Sequence, residues 1–238
     1  MSLLSHDSFW NAVISLPTTK KMLQLSLKKC GACDRTILEA ALDDYVGKTD
    51  KKCKKCGGFY SQMIRFWIEF LRRSLSMKRE KVERLLADSY ARRAIITLTK
   101  SFSYYGIKKP LSIYAPFLVV WDFTHKCNLS CKHCYSNAGA SSQKELTTKE
   151  ALEVVDQLAD LGVTALAFSG GEPLSREDFF EVASYAVERG LYISVATNGT
   201  LLTKENVKKL KQAKINYVEV SIDGATAQTH DSFRGVPG

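Results

Sequence analysis

No stretch of this 238-residue sequence reaches the roughly 18 consecutive apolar residues of a membrane-spanning helix, so none is expected. The opening also lacks a basic region followed by an apolar one. Met1 leads into a short mixed segment with His6 and Asp7, so no secretory signal is read there and a reducing, cytoplasmic setting is expected. No internal repeat of solenoid type is present. The seven cysteines (Cys30, Cys33, Cys53, Cys56, Cys127, Cys131 and Cys134) are odd in number and fall in tight clusters. Without a secretion signal, that pattern argues for metal binding rather than disulfides.

Acidic residues are scarce in the first half. Residues 1–116 hold 22 Lys/Arg against 10 Asp/Glu, whereas residues 117–238 hold 12 against 15, for a net charge of +9 overall. Such asymmetry points to two units with different partners. A basic half suits nucleic acid, an acidic protein or an anionic membrane surface, and equally a solvated basic face. At 45% hydrophobic and 25% charged residues, the composition is that of a folded protein of one or two domains.

Residues 1–29 read as a helix-prone leader broken by Pro17, and residues 30–58 as a Cys-, Gly- and Lys-rich segment too short for a hydrophobic core. Together, 1–58 are expected to form a metal-binding segment with a helical leader. Residues 59–116 form a helical region and linker. Phe59, Met63, Phe66, Trp67, Phe70 and Leu71 recur at helical spacing, which fits a helix packed on its own protein or an interfacial membrane helix. Gly106, Pro110 and Pro116 mark 100–116 as linker.

From 117 the texture changes. Phe117–Phe123, Val163–Phe168, Leu191–Ala196 and Asn216–Ile222 read as strands, the first of them buried in type. Thr147–Leu161, Glu177–Arg189 and Lys204–Lys214 read as helices. Thr147 and Glu150 form a capping box, and Gly162 is placed to stop the first helix. Strands alternating with such helices predict βαβ units and a parallel sheet.

Directly after the first strand stands Cys127-Asn-Leu-Ser-Cys131-Lys-His-Cys134-Tyr135, a C-x3-C-x2-C loop. Three thiolates can hold a four-iron cluster and leave one iron open for a ligand. The same loop fits zinc with His125 or His133 as a fourth ligand, or a cluster used only for electron transfer.

The loop resembles the signature of the radical SAM (S-adenosylmethionine) superfamily, with His133 at the aromatic position before the last cysteine. Ser169-Gly170-Gly171-Glu172-Pro173 resembles that family's GGEP motif. Thr197-Asn198-Gly199, Ser221-Ile222-Asp223-Gly224 and His230-Asp231-Ser232-Phe233-Arg234-Gly235 follow in order. The set resembles the branch that matures peptides and builds cofactors, and it covers roughly 117–238. Ligands of parallel α/β folds sit at the carboxyl ends of strands, where these motifs fall.

The resemblance implies an enzyme. Cys127, Cys131 and Cys134 would hold a [4Fe–4S] cluster whose open iron binds SAM. An electron from a donor such as ferredoxin or flavodoxin would cleave SAM, giving a 5′-deoxyadenosyl radical that takes hydrogen from a peptide or cofactor precursor. Gly170 and Gly171 would let a strand edge approach the methionyl part of SAM, Glu172 would accept from its ammonium group, and Pro173 completes that motif. Ser221 and Asp223 would lie near the ribose or the carboxylate. Asn198 would contact SAM or shape its Asn-Gly turn. Arg234 would pair with the carboxylate or lie at the surface, and Tyr135 would pack near adenine or in the core.

The fold implied is α/β: a partial (β/α)6-type barrel with parallel strands, preceded by a small metal-binding and helical region. Six strand–helix units are usual in the family and four strands are found here. The sequence is therefore expected to be a piece of a longer protein, ending at Gly238 within a loop.

Cys30-Gly-Ala-Cys33 and Cys53-Lys-Lys-Cys56 form two C-x2-C knuckles whose spacing fits structural zinc. An auxiliary iron–sulfur cluster is the alternative. Lys51, Lys52, Lys54 and Lys55 around the second knuckle suit nucleic acid or a docked protein substrate. A non-catalytic metal-binding adaptor is the reading that competes with an enzyme.

Overall fold

The computed structural model describes residues 16–33, 35–48, 53, 56, 58–106, 110–139 and 144–237. His6, Asp7, Gly57 and the lysines at 51, 52, 54 and 55 lie outside these. The chain divides into two compact units, Met1–Pro116 and Phe117–Gly238.

The first unit is helical: α1 (Pro17–Ser26), α2 (Ile37–Tyr45), α3 (Phe59–Ser74), α4 (Arg79–Ala87) and α5 (Ser89–Tyr105). Pro17 starts a helix instead of breaking one, because its missing N–H falls where the first turn has no acceptor anyway. Segment 30–58 does contribute to a core, contrary to expectation. A capping box of Thr36 and Glu39 starts α2. Its Leu38, Leu42 and Tyr45 then pack with Val82 and Leu86 of α4, so one core lies on both sides of residue 58. The expected linker is shorter than read, since α5 runs on to Tyr105 and stops at Gly106.

The aromatic stripe of α3 is not packed inward. Phe59, Phe66, Trp67, Phe70 and Leu71 are all exposed, whereas Ser61, Ile64 and Ile68 face the core. Periodicity picked out a real apolar face, but a neighbouring one makes the contact. No helix among the described residues is long and apolar enough to cross a membrane.

The second unit is a four-stranded parallel sheet in the order β1-β2-β3-β4, formed by Leu118–Thr124, Ala165–Gly170, Tyr192–Thr197 and Tyr217–Val220. Helices α6 (Thr148–Leu161), α7 (Phe179–Glu188) and α8 (Lys204–Gln212) link the strands, and α9 (Ala227–Arg234) follows β4. The expected capping box of Thr147 and Glu150 is formed, and Gly162 ends α6 in the left-handed region. The core joins Leu166, Phe168, Ile193 and Val195 of the strands to Val155, Phe179 and Val182 of the helices.

Two expectations are corrected here. β1 is half-buried, with Leu118 and Val120 exposed, because among the described residues its apolar core lies to one side. Of the terminal stretch read as a loop from Arg234 on, Arg234 is instead the last residue of a helix, Ala227–Arg234, capped by the Thr226 hydroxyl on the Thr229 N–H.

Candidate functional site

The three-cysteine loop leaves β1 where the pairing with β2 slips. Asp122 pairs with Ser169, but Thr124 pairs with Gly170, so one residue is passed over. Beyond the slip the two chains stay joined. The Gly171 N–H donates to Thr124 O at 2.7 Å, and the Glu172 N–H donates to Lys126 O at 2.8 Å. A Cβ at Gly171 would overlap the Lys126 carbonyl, and Gly170 has φ +101°. Both glycines are therefore required by close approach and backbone angle. The approach is to the cysteine loop itself, so these two N–H groups do not form the free strand edge that was expected to meet a ligand.

Two clamps that sequence reasoning missed fix this corner. Glu145 accepts from the Thr124 hydroxyl at 2.6 Å and the His125 N–H at 2.8 Å. Burial works against its charge, yet these bonds hold its carboxyl below the usual range. Arg176, 8% exposed, donates to Phe123 O at 2.9 Å and Leu146 O at 2.6 Å, and pairs with Asp178 at 2.6 Å. Neither belongs to a periodic pattern, so neither had a signal in the sequence.

The far side of the loop is tied to the end of α9. Ser130 N–H donates to Arg234 O at 3.0 Å, and Lys132 N–H to Phe233 O at 2.9 Å. So held, Cys127, Cys131 and Cys134 all line one cavity. Each sulfur has a donor: Leu129 N–H at 3.5 Å for Cys127, Arg234 Nη1 at 3.6 Å for Cys131, and Ala138 N–H at 3.4 Å for Cys134. Burial pushes the Cys127 thiol up, and the Ser136 hydroxyl with nearby backbone N–H groups draws the Cys134 thiol down. Donors aimed at three sulfurs suit thiolate ligands, as a bound cluster requires.

The remaining predicted residues fall into two groups. Gly170, Gly171, Asn198, Ser221, Asp223, Arg234, His133 and Tyr135 also line the cavity. Glu172 and Pro173 are buried and are not among its lining residues. The Glu172 carboxylate, expected to meet a ligand ammonium, instead accepts from Leu174 N–H, the Thr197 hydroxyl and Asn198 N–H at 3.1, 2.8 and 2.8 Å. It ties the end of β2 to the end of β3. Pro173 opens a short 3-10 turn over 173–175.

Asn198 does shape its own turn, accepting from Thr200 N–H at 3.0 Å, and its amide also reaches Asn128 at 2.9 Å. Arg234 is 8% exposed, so it is no surface arginine. Its Nε lies 2.7 Å from Asp223 Oδ2, an ion pair without hydrogen-bond alignment. His133 Nε2 stands 3.6 Å from the same oxygen, and its ring lies against Phe233. Tyr135 is 73% exposed, so it is not core, and its hydroxyl donates to Asp122 at 2.8 Å.

Three thiols of one loop thus face three strand ends of a parallel sheet. The Radical SAM superfamily profile matches residues 121–237. That segment belongs to the radical SAM superfamily. It is 52% identical over 128 residues to an AdoMet-dependent heme synthase of Methanosarcina barkeri, covering 52% of this chain and 36% of the relative. It is 36% identical over 121 residues to the mycofactocin maturase MftC of Mycolicibacterium smegmatis, covering 51% and 31%. The matched segment thus spans about a third of the length of these curated relatives. Streptococcus suis SuiB bound to its precursor peptide SuiA aligns with a TM-score of 0.52 at 18% identity, over 84% of this chain and 44% of that one. At that identity the likeness is one of fold.

Proposed function

We propose that this chain is the cluster- and SAM-binding part of a radical SAM enzyme that acts on a peptide or a cofactor precursor. The observation that carries the reading is the convergence of Cys127, Cys131 and Cys134 with Gly170, Asn198, Ser221 and Asp223 on one cavity.

Cys127, Cys131 and Cys134 are the residues that would hold a [4Fe–4S] cluster. When bound, that cluster and SAM together supply a carbon-centred radical able to take hydrogen from an unactivated position. The work of this chain is positional. The Gly170–Gly171 strand end keeps the cysteine loop fixed against the sheet. Glu172, out of the cavity, sets where the Asn198 backbone stands. Arg234 places positive charge beside Cys131 and holds Asp223 at the rim. Ser221 and Asp223 offer acceptors for hydroxyl or ammonium groups. Tyr135 presents an exposed ring that can lie against a base.

The substrate classes come from the relatives. One is named for heme synthesis and another for mycofactocin maturation, and SuiB was solved bound to a precursor peptide. Electrons would come from a ferredoxin or flavodoxin, which the cluster needs for reduction.

The test is anaerobic reconstitution with iron and sulfide, then spectra of the reduced protein with and without SAM. About four irons per chain at the cysteine loop, an EPR signal that changes on adding SAM, and 5′-deoxyadenosine release under dithionite are expected. Cys131→Ala should abolish all three. SAM cleavage retained in that variant would sink the assignment.

A further inference from the structure

Two knuckles of the first unit, which precede the superfamily segment in sequence, meet at one point. Cys30 and Cys33 lie between α1 and α2, and Cys53 and Cys56 just before α3. Each pair is folded into the same turn, with Cys33 N–H donating to Cys30 O at 3.3 Å and Cys56 N–H to Cys53 O at 3.1 Å. The first turn closes a small hairpin tip, where Lys29 bridges Thr36 and Cys30 N–H donates to Arg35 O at 2.8 Å. The sulfurs interleave across the pairs: Cys30 to Cys53 is 3.8 Å and Cys33 to Cys56 is 3.3 Å. All four lie within 4.8 Å of one another.

We propose that Cys30, Cys33, Cys53 and Cys56 bind a single zinc ion in a closed, structural site, with Arg35 as its outer partner. Spacing decides between one ion and a cluster. Four thiolates about 2.3 Å from one tetrahedral ion stand about 3.8 Å apart. A cubane puts each thiolate on a different iron, so the cluster body pushes them well beyond that separation. The observed sulfurs match one ion. Four protein ligands fill a tetrahedron and leave no open position, which makes the site structural and not catalytic. A four-sulfur tetrahedral site accepts zinc or iron, and zinc lies above ferrous iron in the affinity order.

Four thiolates around a divalent ion carry a net charge of −2, and Arg35 is placed to offset part of it. Its backbone carbonyl accepts from the Cys30 N–H at 2.8 Å, and its side chain pairs with Asp43 at 2.8 Å. Asp43 in turn pairs with Arg92 of α5 at 2.6 Å. The metal is thereby connected to α2 and α5 through two ion pairs. Binding displaces four thiol protons, and its free energy adds to folding because it joins two knuckles whose cysteines stand 23 positions apart in sequence.

The experiment uses the full chain with Cys127, Cys131 and Cys134 all changed to Ser, so that the four knuckle cysteines are the thiols that remain. Elemental analysis of protein purified without added metal should give one zinc per chain. A mercurial titration should release that zinc as four thiols react. Iron and sulfide taken up by this variant on reconstitution, or no zinc in it, would overturn the proposal. In the natural sequence, Cys56→Ser should lose the zinc yet still load four irons at the other loop. Should Cys56→Ser be insoluble, Arg35→Gln retains every ligand. It should keep one zinc but release it to a chromophoric chelator about ten times faster, and an unchanged rate would remove Arg35 from the site.

Discussion

The Asn198 backbone N–H donates to the Glu172 carboxylate across 2.8 Å, joining the ends of β2 and β3 beneath the cavity floor. Glu172 is fully buried, so every donor it meets depends on it. Glu172→Gln keeps the shape but turns an amide N–H toward donors. A loss of about 1–3 kcal/mol is expected, the cost of a buried donor left without an acceptor. Thermal unfolding measures it. Calorimetric titration should show weaker SAM binding, because the Asn198 turn shifts.

Gly171 permits the closest backbone approach in the site. In Gly171→Ala the new methyl would meet the Lys126 carbonyl, which is main chain and cannot swing aside. Overpacking of this kind costs about 1–3 kcal/mol. The loop bearing Cys127 should move, so iron content after reconstitution should fall well below that of the natural sequence. Full cluster loading would show that the loop tolerates the displacement.

Arg234 bonds Cys131 and pairs with Asp223. Arg234→Gln keeps a donor but removes the charge. The reduction potential of the reconstituted cluster should become more negative, since positive charge near a cluster favours its reduced form. Arg234→Lys should recover part of the shift. A potentiometric titration followed by EPR reads both, and an unmoved potential would confine Arg234 to holding the loop.

Acid should weaken the first unit through Glu69. Hydrogen bonds from Arg72, Arg73 and the Tyr45 hydroxyl hold its carboxyl down to about 2, from an ordinary 4.5. A depressed carboxyl contributes stability that is present above pH 4.5 and disappears as the pH falls toward 2. Glu69→Gln should lower stability at pH 7 and flatten this part of the acid dependence. Urea melts at pH 7, 4 and 2.5 would show it, and parallel curves for both proteins would argue against the effect.

Much of the second unit was legible because its signals are periodic or local. The apolar runs at 163–168 and 191–196 and the Thr147 box define β2, β3 and the start of α6 without reference to anything distant. The cysteine loop and Ser169–Pro173 were legible as motifs. Roles were less so. Whether Glu172 faces a ligand or two strand ends depends on Thr197 and Asn198, residues about 25 positions away. The Arg176 and Glu145 clamps have the same character, single buried polar groups whose partners only the fold brings near. The α3 stripe misled for a related reason. Amphipathic spacing tells which residues share a face but not whether a neighbour covers it.

Among the described residues, the sheet ends on two strands that pair on one side only. β1 and β4 are its edges, and Leu118, Val120, Tyr217, Val220 and Ile222 are exposed on or just beyond them. Unpaired main-chain groups flanked by apolar side chains recruit further strands, including those of identical chains. In solution, the practical limit on this stretch of polypeptide is therefore colloidal: it should precipitate with rising concentration at temperatures where each molecule is still folded.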